Sequence, residues 1–458
     1  MSLIKKRFYI IIPYYKKRNE LIMAKPKKKY SDLSIIEKNL IKKKLGITKV
    51  QDIDLAILKQ LKEKLKILKD TRYKKMITYK LWDVIMCVIL ASFAENDTWE
   101  EIHAFVVDNY KWLRSFLKMT GGIPKEDSYE RIMALVDSNE LNKILFDFFE
   151  TITFSYTPKT EMYNFDGRVN NGSKQNLTIS NEAKTPLNCL NVYSNKYRYC
   201  LYTKQIDEKT NEIPTIETLV SGLNLKGIIV TWDALNTQTK NVKAVINAGG
   251  DYIVPIKGNQ GTFYQDLIDY FDEEQCEKII AGNSKSKYME YKEKSHGVII
   301  KYELFETSDI KWYSKLEDCE RVKSFGLVRK TITKKILEKN DTKKGKNEKI
   351  EKEVKTIENR YYISSKYVNI QEFNEVTRGH WNIENKIHWH LDFTFLQDKN
   401  TTRNKNALLN LEIIHKFVLG CLERVKGRYK SSLKLIRKHL SNNFEEFFPE
   451  FVAYLLVN

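Results

Sequence analysis

Cysteine is scarce in this chain: six in 458 residues, with no two in CxxC spacing. Cys87, Cys189, Cys200, Cys276, Cys319 and Cys421 are scattered, which argues against a disulfide scaffold or a zinc finger and suits a reducing cytoplasm. Long apolar runs are missing too. The longest beyond the N-terminus, Val84–Ala94, is about half of what a membrane span needs. The apolar segment Arg7–Tyr15 is short, is broken by Pro13 and precedes no small-residue cleavage site, which argues against a signal peptide. No internal repeat of fixed period occurs. With 42% hydrophobic and 12% aromatic residues, wholesale disorder and collagen-like or low-complexity classes are excluded. A chain of this length buries two to four cores.

What is present in excess is positive charge. Lys and Arg number 78 against 59 Asp and Glu, for a formal +19. The excess is local. Residues 1–49 carry a net +12 and residues 403–438 a net +8, so the rest of the chain is close to neutral. Two basic patches near the ends suit a polyanion, because each cation that neutralises a phosphate releases condensed counterions. A solvated lysine-rich surface is the plainer alternative.

Residues 1–30 form a basic arm with few structure signals, and Met23 is an alternative initiation point. From Leu33 to about Phe154 the pattern is helical: Ile53–Leu68 and Leu81–Phe93 repeat apolar residues at i, i+3 and i+4. Asp97 or Thr98 is positioned to cap the next helix, and Asp127 or Ser128 the one after Gly121–Pro124. The texture changes at Glu161. Met162–Phe165 is β-like and ends in Asp166-Gly167; Pro186–Tyr193 and Tyr199–Lys204 follow as a pair of strands. A helix at Ile216–Leu223, a buried strand at Gly227–Thr231, a helix at Thr239–Asn247 and a strand at Tyr252–Ile256 complete the run. Residues 261–360 look like an insertion, with β-like pieces at Val298–Phe305, Ser324–Thr333 and Tyr361–Ser364 and a charged loop or hairpin tip over 334–355. From Val376 the pattern is helical to the end.

Asp166 and Asp233 each close a buried strand. Two carboxylates side by side in a low-dielectric site repel, and a cation between them or one raised pKa relieves this. Mg²⁺ prefers such oxygen ligands. Glu384 is the best third candidate, since His380, Glu384 and His388 fall at i, i+4 and i+8 on one helical stripe that Asp392 extends. Three carboxylates would hold two ions roughly 4 Å apart, a geometry for phosphoryl transfer. The same residues have plainer readings. Asp-Gly is a common turn, Asp233 can cap a helix, the histidines can pack beside Trp381 and Trp389, and the stripe can also be a His-Glu-His transition-metal site.

The chain resembles the transposases of ISAs1-type bacterial insertion sequences, also called H-repeat-associated proteins. The likeness runs from about Leu65 to Glu423. It is carried by Lys69–Arg72, Gly122–Pro124, Asp127–Arg131, Asp166-Gly167 with Gly172-Ser173, Thr231–Ala234, Gly249–Tyr252, Lys257–Gln260, Tyr362–Ser365, Arg378–Asn385, His388-Trp389 and Leu391-Asp392. The sequence departs from the family where Arg168 and Asn171 follow the first Asp, at Val298 and Ile300, and at Gln397.

The resemblance implies an α/β protein with a ribonuclease-H-like DDE core, a β-rich insertion and an all-helical N-terminal domain. The expected division is a basic arm (1–30), a helical transposase-associated domain (31–155), the first part of the core (156–260), the insertion (261–365), the last catalytic helical part (366–430) and a helical tail (431–458). It implies metal-binding, catalytic Asp166, Asp233 and Glu384, with Mg²⁺ as cofactor and Mn²⁺ as a substitute. Lys257, Asn259, Arg378, His380, His388, Arg403 and Lys405 are the expected DNA contacts. The reaction implied is DNA end cleavage and strand transfer by a homodimer or higher oligomer, in a bacterial cytoplasm at the nucleoid. A nuclease that does not join ends, a non-catalytic DNA-binding derivative and a zinc hydrolase built on the histidines remain as alternatives.

Overall fold

The computed structural model describes residues 34–45, 53–153, 160–174, 185–207, 211–282, 285–295, 298–313, 321–341 and 347–457. The basic arm at 1–30 lies outside them, as do Cys319 and the His296-Gly297 pair. The helices before the first strand are α1 (Ile35–Leu45), α2 (Ile53–Leu65), α3 (Leu81–Phe93), α4 (Trp99–Asp108), α5 (Tyr110–Leu113), α6 (Glu126–Met133) and α7 (Ser138–Ile152). All but one residue of α3 are buried, which makes it an interior helix. Thr98 caps α4 in a reciprocal capping box with Glu101, and Asp137 caps α7. Neither Asp127 nor Ser128 caps α6, which begins one residue earlier, at Glu126.

The sheet has nine strands: β1 (Met162–Asn170), β2 (Leu187–Ser194), β3 (Tyr199–Gln205), β4 (Ile229–Thr231), β5 (Asp251–Ile256), β6 (Ser286–Ser295), β7 (Val298–Thr307), β8 (Ser324–Asp341) and β9 (Asn347–Ser364). Their spatial order is β3-β2-β1-β4-β5-β9-β8-β7-β6. β1, β4 and β5 run parallel, and every other neighbouring pair is antiparallel. Helices α8 (Glu212–Ser221), α9 (Thr239–Asn247), α10 (Thr262–Tyr270) and α11 (Glu273–Ala281) connect the middle strands. After β9 come α12 (Ile370–Gly379), a π-helical turn (Glu384–His388), α13 (Trp389–Phe393), α14 (Lys405–Tyr429), α15 (Leu433–Asn442) and α16 (Phe444–Val457). No described helix is long and apolar enough to cross a membrane, and the five described cysteines are buried and unbridged.

The structure refines four readings of the sequence. Asp166 does not end a strand: β1 continues to Asn170. Of the two readings of 334–355, hairpin tip or loop, the hairpin holds: the segment is paired strand as far as Asp341 and again from Asn347, with Lys334 opposite Val354. β6 was not anticipated, because half of its residues are Lys or Glu and no apolar alternation marks it. Helix also resumes earlier than Val376, at Ile370.

Helices cover both faces of the sheet. One core joins α8–α11 to β1, β2, β4, β5 and β7–β9 through Val220, Val245, Trp232 and Phe325. On the opposite face Phe373 and Val376 of α12 pack on Met162, Ile253 and Tyr362. A third core unites α1–α7, α14–α16 and the outer face of β2 and β3. α14 is its spine, buried from Ala407 to Leu422. Midway along it sits Gly420, where an added Cβ would lie 2.5 Å from the Tyr199 ring and 3.2 Å from that of Phe149. Those rings are stacked at 4.4 Å and have no room to yield. Gly→Ala in a free helix gains about 1 kcal/mol, whereas overpacking a core costs about 1–3 kcal/mol. Gly420→Ala is therefore expected to destabilise, seen as a lower denaturant midpoint; a raised midpoint would contradict this packing.

Candidate active site

The parallel register builds the site. Asn164 of β1 pairs with Thr231 of β4, so Asp166 and Asp233 stand two residues beyond that pair on their own segments. The segment carrying Glu384 is brought onto the sheet by α12. The Asn164 side chain donates to the Gly379 carbonyl at 2.6 Å. A Cβ at Gly379 would overlap the Met162 methyl, which shows how closely helix and strand approach. Gly167 has a similar reason: the carboxylate of Glu212, at the start of α8, occupies the place of its missing Cβ.

Two histidines hold the three carboxylates. His380 Nε2 is 3.2 Å from Asp233 Oδ1. His388 Nδ1 is 3.2 Å from Glu384 Oε2 and 3.4 Å from Asp166 Oδ2. Ligand atoms of Asp166, Glu384 and His388 all lie within 4.8 Å of one another. The π-helical turn sets this geometry, an irregularity that recurs at functional sites. It also ends the simple stripe: Asp392 pairs with Arg168 instead of joining the carboxylates.

The electrostatics are uneven. Burial, then the charges of Asp233, Glu212 and Glu384, push the Asp166 carboxyl up to about 8. The hydrogen bond from His380 holds Asp233 low despite burial, with help from Lys257 and Arg360. His388 holds Glu384 low in the same way. Burial pulls the His388 imidazole below its ordinary value, against the pull of Glu384. One carboxyl pushed up by burial and by two neighbouring carboxylates that stay low is a donor set that fits a hard divalent cation.

The other expected contacts are spread out. Lys257 is exposed in the turn after β5, and Asn259 donates to the Ala234 carbonyl at 3.2 Å, so both stand beside Asp233. Arg378 pairs with Glu293 of β6 at 2.6 Å and lies over the Tyr291 ring. Arg403 donates to the Gly172 and Lys174 carbonyls, and Lys405 to Thr185. Those two therefore brace Gly172, Lys174 and Thr185 and are not gathered at the carboxylates.

Sequence reasoning missed a groove of about 1280 Å³ between the strands β6–β9 and the Thr377–Ile387 segment. Arg198, Lys330, Arg360, Arg378, Trp381 and Lys386 are among its lining residues. The Arg360 guanidinium lies 4.6 Å from the centre of the Trp381 ring. It also missed a buried polar cluster behind the site. Arg168 reaches Glu412 Oε2 at 3.1 Å and Gln397 Oε1 at 2.9 Å, while Lys416 reaches Glu412 Oε1 at 2.6 Å. Arg168 and Gln397, two departures from the family pattern, thus meet each other. The i, i+4 spacing of Glu412 and Lys416 marks that one pair, but no spacing joins it to Arg168 or Gln397.

Fold and site define an α/β protein with a carboxylate centre on the inner strands of a mixed sheet. The chain belongs to the DDE transposase family, in its H-repeat group. The transposase DDE domain matches residues 171–419, more than half of the chain, beginning just beyond Asp166. The DDE_Tnp_1-associated domain matches residues 62–149. "Putative transposase YncI" of Escherichia coli O157:H7 is 26% identical over 383 residues, covering 82% of this chain and 90% of that protein. "H repeat-associated putative transposase YhhI" of Escherichia coli strain K12 is 25% identical over 350 residues, covering 76% and 86%.

Proposed function

We propose that this chain is the transposase of an ISAs1-like insertion sequence, cleaving transposon ends and joining them to target DNA. The observation that carries the reading is that Asp166 and Glu384 bring possible ligand atoms within 4.8 Å of one another, with Asp233 outside that group but near enough for its charge to act on both, in a chain of the DDE family. The strand order β3-β2-β1-β4-β5, with β1, β4 and β5 parallel, supports a ribonuclease-H-like core. β6–β9 extend it as the insertion, and α1–α7 supply the associated helical part.

Asp166, Asp233 and Glu384 would hold Mg²⁺, with Mn²⁺ as a substitute. Bound metal would supply activation of water, then of the freed 3′-hydroxyl, and stabilisation of the leaving oxygen. His380 orients Asp233 and leaves its second oxygen free to bind. Arg360 and Lys257 act on Asp233 with their positive charge, and the groove, lined by Arg360 and Lys386, offers a backbone track with Trp381 as an aromatic face in it. No covalent protein–DNA intermediate is required, so no nucleophilic Ser or Tyr is assigned. A homodimer or higher oligomer at the bacterial nucleoid fits a reaction on paired ends.

Labelled DNA carrying the element's ends tests the reading. In Mg²⁺ the protein is expected to release a free 3′-end and then to join it to a second duplex, and a chelator is expected to stop both steps. Cleavage without joining would leave only a nuclease. Neither product, with DNA still bound, would leave a DNA-binding derivative. The meeting of Arg168 with Gln397 speaks against that last outcome, since the departures retain a hydrogen bond.

A further inference from the structure

Behind the carboxylates lies a row of buried polar side chains that the proposed chemistry does not use. Sheet register makes the row: Asp166 of β1 stands opposite Asn191 of β2, and Asn191 stands opposite Thr203 of β3. Above it α14 places Lys416, whose side chain is 2% exposed. The ammonium lies 2.6 Å from Asn191 Oδ1, 2.9 Å from Thr203 Oγ1 and 2.6 Å from Glu412 Oε1. The other end of the Asn191 amide, Nδ2, is 3.1 Å from His388 Nε2.

The hydrogens of this row can be placed by elimination. An ammonium only donates, so the Asn191 atom facing Lys416 must be its oxygen. A flipped amide would set donor against donor where no water can intervene. The nitrogen of Asn191 therefore faces His388, and it too only donates. His388 Nε2 must then be the acceptor and carry no proton. The single ring proton of the neutral imidazole is left on Nδ1, which faces Glu384 Oε2 and Asp166 Oδ2, both acceptors. Every atom of the row finds a partner in this arrangement and in no other.

We propose that Lys416 and Asn191 are positioning residues that fix the His388 proton on Nδ1, making His388 a donor to Asp166 and Glu384 and keeping it out of the metal's coordination sphere. A nitrogen bearing a proton has no lone pair for a cation. Although Asp166, Glu384 and His388 have the spacing of a mixed oxygen–nitrogen site, the donors offered are then oxygens alone. Such a set selects hard cations over zinc. The metal half of this inference rests on the carboxylate reading above; the proton's position does not.

The test is made on the full chain, metal-free and without DNA, with ¹⁵N-labelled histidine. Long-range ¹H–¹⁵N correlation distinguishes protonated from lone-pair ring nitrogens, and the His388 signals are those lost in His388→Gln. The expected result is a lone-pair signal on Nε2 and a protonated Nδ1, with that proton retained when Mg²⁺ is added. In Asn191→Asp the new carboxylate accepts at both ends, so Nε2 is expected to gain a proton while Nδ1 keeps its own, and the lone-pair signal is expected to disappear. A lone pair on Nδ1 in the wild type, loss of its proton on adding Mg²⁺, or a lone-pair signal kept on Nε2 in folded Asn191→Asp would each overturn the proposal. The wild-type spectrum decides even if Asn191→Asp does not fold. Because the readout involves no DNA chemistry, its failure is distinct from a failure of end cleavage.

Discussion

Asp233→Asn is expected to leave DNA binding as tight as in the wild type, or tighter, while cutting end cleavage in Mg²⁺ by about 10³-fold or more. That factor corresponds to about 4 kcal/mol of lost transition-state stabilisation. The substitution is nearly isosteric, and an Asn oxygen can still accept the hydrogen bond that His380 gives Asp233 at 3.2 Å. What disappears is the charge. Asp233 is held ionised by His380, Lys257 and Arg360, whereas Asp166 is pushed up to about 8. Asp233 is therefore a firmly anionic ligand of the trio, and DNA would lose a repelling group. Single-turnover cleavage of a labelled end, beside a binding titration of the same DNA, separates the two effects. Unchanged cleavage would remove Asp233 from the chemistry.

The largest effect on stability is expected from Glu412→Gln, a loss of about 3–5 kcal/mol in denaturant unfolding. Glu412 is 1% exposed and stands between two buried cations, Lys416 and Arg168. Burial alone would raise its carboxyl, yet those cations outweigh it and hold the group at about 2 against an ordinary 4.5. A depressed carboxyl stabilises the fold fully above its unfolded value and loses that contribution as pH falls. The window here runs from 4.5 down toward 2. The variant strands two cations away from water. Removing Lys416 as well should recover part of the loss, so the double variant Glu412→Gln with Lys416→Met is expected to be less destabilised than the sum of the singles. Strict additivity would mean that the pair is not coupled.

Much of this arrangement is legible in the order of residues alone. The bounds of α3 and α9 follow from apolar periodicity, and the nearness of the two Asp follows from two short β-like runs, Met162–Phe165 and Gly227–Thr231, that each lead to one. Where reading failed, the cause is physical. Asp166-Gly167 looks like a turn, but Gly167 is there because Glu212 fills its Cβ position, so β1 continues through it. Strands 334–341 and 347–355 have no apolar alternation to mark them, and it is their backbones that pair. Of the resemblance motifs, Asp70 and Arg72 make a two-point ion pair with each other, a structural role that spacing alone does not separate from a functional one. Asn191, Glu412 and Lys416 were invisible for another reason. A Glu and a Lys four residues apart on a helix resemble an ordinary solvated surface pair, and only strand register and helix packing bring Lys416 beside Asn191, 225 positions away.

The third core has a consequence for the order of synthesis. Arg437 of α15 donates to the Ser92 carbonyl at the end of α3 across 345 positions of chain, and α14 supplies the surface that α3 and α7 bury against. As the chain leaves the ribosome, α3 emerges early with apolar side chains on all its faces and waits for partners made last. A product truncated before Lys405 would carry Asp166, Asp233 and Glu384 but lack the helix that completes this core. Possession of the carboxylates is thus separated from possession of a finished fold, and only full-length translation supplies both.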